Sequence, residues 1–111
     1  NHEMEEEMIL LGLFTREEVK HQNPDAPLFK KYFMHGTAHH IGLDVHDVID
    51  RHQPFEPGMV FTCEPGIYLR EEGFGVRIEN NILITEKGPV DLTRNIPREA
   101  DEIETLMKKE V

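Results

Sequence analysis

Two apolar segments separated by a short polar turn decide the fold: residues 59–69 read MVFTCEPGIYL, and residues 75–85 read GVRIENNILIT. Five of the eleven residues in each segment are β-branched or aromatic, an enrichment that is typical of strands. Pro65 and Gly66 interrupt the first segment and predict a bend in it. Because residues 70–73 have turn composition, we expect the second segment to return antiparallel to the first. The sequence therefore predicts a bent antiparallel hairpin.

An acidic helix is predicted before this hairpin, over residues 3–13. Met4, Met8 and Leu11 recur at helical spacing and form one apolar stripe, while the glutamates fall elsewhere. Gly12 is a plausible helix stop, since glycine readily adopts the backbone conformation that ends helices. We expect this stripe to be buried and the acidic side to be solvated.

A second short helix is predicted over residues 16–22. Thr15 and Glu18 have the spacing of a capping box, in which each side chain accepts a hydrogen bond from the other residue's backbone amide. The following segment, residues 23–27, contains two prolines and is predicted to be a loop.

The remaining segments complete an α/β (α+β) prediction. Residues 30–50 keep neither helical nor two-residue periodicity and are expected to be irregular. Residues 87–89 should end the hairpin, and residues 90–97 should be a loop or a short strand. Residues 98–109 are predicted to form a terminal helix with an apolar stripe of Ile103, Leu106 and Met107.

Composition excludes several functions for this chain of 111 residues. It has 22 acidic and 12 basic residues, a formal net charge of -10, which argues against nucleic acid and against an anionic membrane as partners. Its longest apolar run, residues 8–14, is far shorter than the roughly 20 residues that cross a bilayer. Cys63 is the single cysteine, so no intrachain disulfide can form and a cytoplasmic location is expected. Because the sequence opens at Asn1 inside a helical pattern, we expect a piece of a longer polypeptide.

Histidines are concentrated in one segment. Five of the seven lie between positions 35 and 52: His35, His39, His40, His46 and His52. Imidazole is the commonest protein ligand of transition metals and the usual proton carrier near neutral pH. One cysteine cannot complete a zinc finger, and no HExxH motif is present. Taken singly, a structural or surface role is the more common one for any histidine, and it is favoured here for His2, His21, His40 and His52.

Two glutamates lie in apolar surroundings within the predicted hairpin. Glu64 follows the apolar run of residues 59–63, and Glu79 lies within the returning segment. A buried lone carboxylate is costly, so each needs a partner or a metal ion unless it is an ordinary edge-strand charge. On paired strands both can face one spot, with Arg77 on the face of Glu79 by alternation. Cys63 is interpreted as a small buried residue rather than a nucleophile.

Three motifs in order resemble the aminopeptidase P and prolidase family of metallopeptidases. They are HGTAHHIGLDVHD at residues 35–47, GMVFTCEPGIY at residues 58–68, and GVRIEN at residues 75–80. The resemblance extends from residue 3 to the terminal helix. It implies that residues 1–111 are the C-terminal half of a pita-bread (creatinase/aminopeptidase) catalytic domain, an antiparallel sheet with flanking helices, whose N-terminal half is absent. Methionine aminopeptidases share this fold, but residues 42–47 resemble the proline-directed branch.

The resemblance also implies a metal site and the residues around it. The family holds two divalent ions, usually manganese with zinc or cobalt as alternatives, between two aspartates, one histidine and two glutamates. The residues carried over are His39, Glu64 and Glu79 as metal ligands, Glu64 also as general base, His35 and His46 as catalytic histidines that contact substrate and stabilise developing charge, and Tyr68 and Arg77 as substrate-binding or supporting residues.

One part of the family's ligand set has no counterpart here. Its two aspartates precede the histidine motif, and residues 1–34 offer only Asp25, in a proline-flanked loop. We therefore expect the isolated chain to be inactive and to bind at most one ion, weakly. The resemblance implies a Xaa-Pro aminopeptidase acting on proline-containing peptides; the alternatives are a prolidase and a non-catalytic binding module. A homodimer is also expected, because an exposed sheet edge favours association.

Overall fold

The computed structural model describes residues 2–108, and these form two compact units, residues 2–36 with 65–77 and residues 37–64 with 78–108. We call them the helical unit and the sheet unit. The helical unit contains α1 (His2–Leu10), α2 (Arg16–Lys20), a 3-10 turn (Leu28–Lys31), β3 (Gly66–Leu69) and β4 (Phe74–Arg77). The sheet unit contains β1 (His40–Ile41), β2 (Val60–Cys63), β5 (Asn80–Thr85), β6 (Gly88–Asp91) and α3 (Ala100–Met107).

Helix α1 ends at Leu10, and the predicted stop, Gly12, caps it two residues later. Gly12 has a φ of 78°, and its N–H donates to the Ile9 carbonyl at 2.9 Å while Leu13 N–H donates to the Met8 carbonyl at 3.1 Å. This pair of bonds is a Schellman motif, which satisfies carbonyls at the helix end. Met8 is fully buried as predicted, but Leu11 is 64% exposed. The predicted stripe is wrong at Leu11 because the helix ends one residue before it.

Helix α2 begins with the predicted capping box. The Glu18 N–H donates to the Thr15 hydroxyl at 3.2 Å, and the Thr15 N–H donates to the Glu18 carboxylate at 2.7 Å. These bonds satisfy two amides that have no partner within the helix. The helix ends at Lys20, two residues earlier than predicted.

The core of the helical unit is apolar. Met8, Phe14 and Phe33 are buried, and nine partly buried hydrophobic residues pack against them: Met4, Ile9, Leu13, Val19, Leu28, Phe29, Tyr32, Ile67 and Tyr68. Strands β3 and β4 pair antiparallel from Gly66↔Arg77 to Leu69↔Phe74. Their connection is the predicted polar turn, in which Gly73 has a φ of 73°.

The sheet unit is built on an antiparallel sheet with strand order β1-β2-β5-β6. Strand β2 pairs with β5 from Val60↔Leu83 to Cys63↔Asn80. The returning strand β5 ends at Thr85, just before residues 87–89 as predicted. The predicted short strand begins earlier than residue 90, because Gly88, with a φ of 115°, starts β6 directly after a two-residue turn. Pro89 lies in this edge strand, where its missing N–H costs no ladder bond.

The predicted antiparallel pairing of the two segments is confirmed, with an interruption in each arm. Glu64 and Pro65 separate β2 from β3, and Ile78 and Glu79 separate β4 from β5. Arg77 and Glu79 therefore do not lie on one continuous strand, which the predicted alternation required. The mixed helix and antiparallel sheet class is confirmed.

The last predicted helix is present as α3, over Ala100–Met107. Its predicted stripe is exposed, with Ile103 at 39%, Leu106 at 43% and Met107 at 81%, and Lys109 lies outside the described residues. Among residues 2–108, no helix combines the length and apolar character that crossing a bilayer requires.

Candidate metal centre

Three side chains of the sheet unit come together at the end of the β2–β5 ladder. His39, Glu64 and Glu79 each offer one ligand atom, and these atoms lie within 4.8 Å of one another. The register explains the two carboxylates: Cys63 pairs with Asn80, so one further step along the ladder places Glu64 opposite Glu79. The chain segment before β1 brings His39 to the same place, since His40 pairs with Phe61.

The hydrogen bonds of His39 indicate which ring nitrogen is free to bind a cation. Its Nδ1 lies 3.1 Å from the backbone oxygen of His40, and a carbonyl only accepts, so Nδ1 carries a hydrogen. In the neutral ring the lone pair is then on Nε2, which lies 3.2 Å from Oε1 of Glu64. An imidazole lone pair and a carboxylate oxygen repel unless a proton or a cation lies between them. This donor set fits a divalent metal ion.

Thr62 links the histidine and the first glutamate. Its side chain is 2% exposed, and its hydroxyl accepts the His39 N–H and lies 2.9 Å from Oε1 of Glu64. Backbone bonds add to this link: Thr62 N–H donates to the His39 carbonyl at 2.9 Å, and Glu64 N–H donates to the Thr37 carbonyl at 2.7 Å. Thr62 was not among the site residues predicted from the sequence. The signal was a polar residue two positions before Glu64, hence on the same strand face.

His46 lies beside His39, with ring centroids 4.2 Å apart, and is exposed. Its loop is held by Asp47, whose carboxylate accepts the N–H of Val48 at 2.8 Å and of Asp44 at 3.4 Å. These backbone hydrogen bonds, that of Val48 foremost, lower the pKa of Asp47. A side chain at Gly42 would displace the same carboxylate.

The other predicted site residues belong to the helical unit. The Tyr68 hydroxyl lies 2.7 Å from Nε2 of His35, whose Nδ1 lies 2.8 Å from the Gly36 carbonyl. The carbonyl fixes the hydrogen on Nδ1, so in the neutral ring the tyrosine donates to Nε2. His35 also packs edge-on against Phe33, with ring centroids 4.7 Å apart. Arg77 is the last residue of β4.

The histidines predicted to have structural or surface roles are not part of the cluster of His39, Glu64 and Glu79. His21 is exposed near Glu17, and His52 is exposed in a turn. His40 packs its ring against Phe61, with centroids 5.5 Å apart. Cys63 is exposed, so its prediction as a buried residue is wrong. Successive strand residues face opposite sides, and Thr62 takes the buried side.

Comparisons with known proteins identify the family of this chain. The sequence profile of metallopeptidase family M24 matches residues 4–86. The Xaa-Pro aminopeptidase of Escherichia coli is 41% identical over 114 residues, covering 90% of this chain and 25% of that protein. The Xaa-Pro aminopeptidase of Haemophilus influenzae is 46% identical over 91 residues, covering 71% of this chain and 21% of that protein.

Solved structures give the same relationship. Zinc-substituted aminopeptidase P from Escherichia coli, in complex with product, superimposes with a TM-score of 0.73 at 38% identity, covering 90% of this chain and 25% of that one. A Bacillus anthracis protein assigned provisionally as an aminopeptidase P gives a TM-score of 0.76 at 41% identity, covering 92% and 22%. The chain thus spans about a quarter of the length of these relatives. The predicted pita-bread fold is confirmed over that part, and the chain belongs to metallopeptidase family M24.

Proposed function

We propose that this chain is part of a Xaa-Pro aminopeptidase, which hydrolyses the bond between an N-terminal residue and a following proline. The observation that carries the proposal is the convergence of His39, Glu64 and Glu79 within 4.8 Å, in a chain whose relatives are named Xaa-Pro aminopeptidases. Because the chain spans about a quarter of those relatives, the activity is assigned to a longer polypeptide that contains it.

The donor set supports a divalent metal ion as the cofactor. Carboxylate oxygens suit manganese, and an imidazole also suits zinc. We assign two ions, manganese by preference, to the complete enzyme, with two aspartate ligands supplied from outside residues 1–111. Asp25, exposed in its loop, is not one of them. The chain alone is expected to hold at most one ion weakly and to be inactive. Its three ligands provide for one ion, and the site of the second ion lacks the negative charge of the two aspartates. When bound, the metal supplies Lewis-acid activation of water and of the scissile carbonyl.

Glu64 is assigned the proton transfer as general base. Its side chain is 13% exposed, and Thr62 holds Oε1, so Oε2 is the oxygen that takes up and returns the proton. His46 is assigned to the developing negative charge on the substrate oxygen, because it is exposed beside His39.

His35 and Tyr68 are assigned to substrate seating, and Arg77 to orienting a ligand carboxylate. Both ring nitrogens of His35 have hydrogen-bond partners. Substrate contact by His35 therefore requires an exchange of its bond with the Tyr68 hydroxyl.

The test is release of the N-terminal residue by the full-length polypeptide, with manganese and after chelation. Ala-Pro-Ala is the substrate, Ala-Ala-Ala controls for proline, and the dipeptide Ala-Pro tests the prolidase alternative. We expect metal-dependent release from Ala-Pro-Ala alone. Cleavage confined to the dipeptide would establish a prolidase. No cleavage by a folded, metal-loaded polypeptide would contradict the proposal and favour a non-catalytic binding module.

Two further assignments concern the setting of the enzyme. We propose a reducing compartment, the cytoplasm, because the chain has a single, exposed cysteine. A homodimer stays a prediction, to be measured by light scattering.

A further inference from the structure

Among the described residues of the sheet unit, only Thr62 is buried, with 2% exposure. In the helical unit the buried side chains are apolar: Met8, Phe14 and Phe33. Burying a hydroxyl is costly unless its hydrogen bonds are satisfied. The position of Thr62 between two candidate metal ligands accounts for a polar residue at this place.

The directions of the two hydroxyl bonds are fixed by their partners. The His39 N–H can only donate, so the Thr62 oxygen accepts it at 2.9 Å. The Glu64 carboxylate accepts, so the single hydroxyl hydrogen is directed at Oε1, also at 2.9 Å. One oxygen atom therefore ties the backbone of His39 to the side chain of Glu64.

We propose that Thr62 is a positioning residue that presets His39 and Glu64 for metal binding, an inference that rests on the proposed function. Functional groups must be held within about 0.5 Å of their productive geometry, and this is achieved by supporting hydrogen bonds. The His39 backbone would keep one bond to Thr62 without the hydroxyl, because the Thr62 N–H also donates to the His39 carbonyl. Among the described hydrogen bonds, the Thr62 hydroxyl is the only donor to Oε1 of Glu64. The hydroxyl is therefore the group to remove.

The test compares Thr62→Val, which keeps the side-chain shape but loses the hydroxyl, with Thr62→Ser, which keeps the hydroxyl. Thr85→Val is the matched control, because the Thr85 hydroxyl also donates a hydrogen bond within this sheet, but to the Gly88 carbonyl at the β5–β6 turn. Manganese affinity is measured by calorimetric titration of each chain, after circular dichroism has established that it is folded. We expect Thr62→Val to weaken binding roughly 10- to 100-fold, the usual effect of removing a ligand's hydrogen-bond partner. Thr62→Ser and Thr85→Val should bind like the wild type.

A kinetic measurement on the full-length polypeptide separates positioning from a general loss of stability. Thr62→Val should lower kcat at limiting manganese with KM unchanged, and saturating manganese should restore most of kcat. If Thr62→Val does not fold, Thr62→Cys replaces it, since a thiol is a weak donor. Its affinity should then fall below that of Thr62→Ser.

Each remaining outcome identifies what has failed. If the wild type binds manganese and a folded Thr62→Val binds it equally well, the positioning role is wrong and the proposed function stands. The positioning role is also wrong if Thr62→Ser loses as much affinity as Thr62→Val. If the full-length wild type binds no manganese, both the proposed function and this inference are overturned.

Discussion

The helical unit and the sheet unit bury different kinds of side chain. The helical unit encloses Met8, Phe14 and Phe33, whereas the sheet unit encloses Thr62. Large apolar residues of the sheet unit are instead exposed, among them Val48 at 91%, Phe55 at 67% and Ile96 at 63%. Apolar burial is the main stabilising contribution to folding, so it acts chiefly in the helical unit. In the sheet unit, the buried Thr62 makes hydrogen bonds to the candidate metal ligands His39 and Glu64. We therefore expect metal binding to these ligands to stabilise the sheet unit.

The largest effect is expected from emptying the apolar core. Phe33→Ala should lower the free energy of unfolding by about 3 to 5 kcal/mol, because a buried ring is lost and a cavity remains. Both tyrosines, Tyr32 and Tyr68, lie in the helical unit, so tyrosine fluorescence during urea unfolding reports on it. Phe74→Ala is the control, since Phe74 is 58% exposed and should cost only about 0.5 kcal/mol. Equal losses for the two variants would show that burial does not distinguish these positions.

Metal binding should act on the other unit. At a manganese concentration of 100 times Kd, mass action stabilises the binding-competent state by about 2.7 kcal/mol. Hydrogen exchange followed by mass spectrometry should show slower exchange of the β2 and β5 amides, with α1 unchanged. Equal slowing in α1, or no slowing in β2, would contradict the assignment of the site to the sheet unit.

Loss of the helix cap should have a smaller effect, confined to stability. Thr15→Ala removes the hydroxyl that accepts the Glu18 N–H and should cost about 1 kcal/mol. Thr105→Ala is the control, because Thr105 lies exposed inside α3, where alanine is the better helix former. Urea unfolding measures both, and manganese affinity should be the same in both variants. A loss of affinity in Thr15→Ala would break the distinction between the two units.

The smallest effect is a pH dependence of the same cap. The backbone N–H of Thr15, followed by its hydroxyl, lowers the pKa of Glu18 below the usual value of 4.5. A carboxyl whose pKa is lower in the folded state stabilises the fold above its unfolded pKa, and this contribution is lost as the pH falls through the folded pKa. The urea midpoint of the wild type should therefore exceed that of Glu18→Gln at pH 7, and the two should converge below pH 4.5. A difference that persists unchanged into acid would show that the ionised carboxylate is not what stabilises the cap.

Local signals predicted much of the fold because they act over a few residues. Thr15 and Glu18 are three positions apart, and Gly12 ends its helix through its own backbone angle, so neither depends on tertiary context. The hairpin was predictable because the turn at residues 70–73 lies between two apolar segments, and Pro65 interrupts the first of them.

Other features depend on which face of a helix or strand is buried by the rest of the structure. The sequence alone does not reveal this. Leu11 and Cys63 have residue types that are often buried, yet both are exposed. The break at residues 78–79, which places Glu79 between strands, follows from tertiary pairing rather than from local composition. Thr62 shows the same limit, since its role is visible only when His39 and Glu64 are seen on either side of its hydroxyl.

The most direct test of the central claim, that His39, Glu64 and Glu79 form one metal site, is a manganese titration of the chain followed by electron paramagnetic resonance. The signal of free manganese falls when the ion binds, so it gives both stoichiometry and affinity. We expect one weak site per folded chain, lost in Glu64→Gln and retained in Glu86→Gln, a matched change at an exposed turn of the same unit. Unchanged binding by a folded Glu64→Gln variant would contradict the assignment.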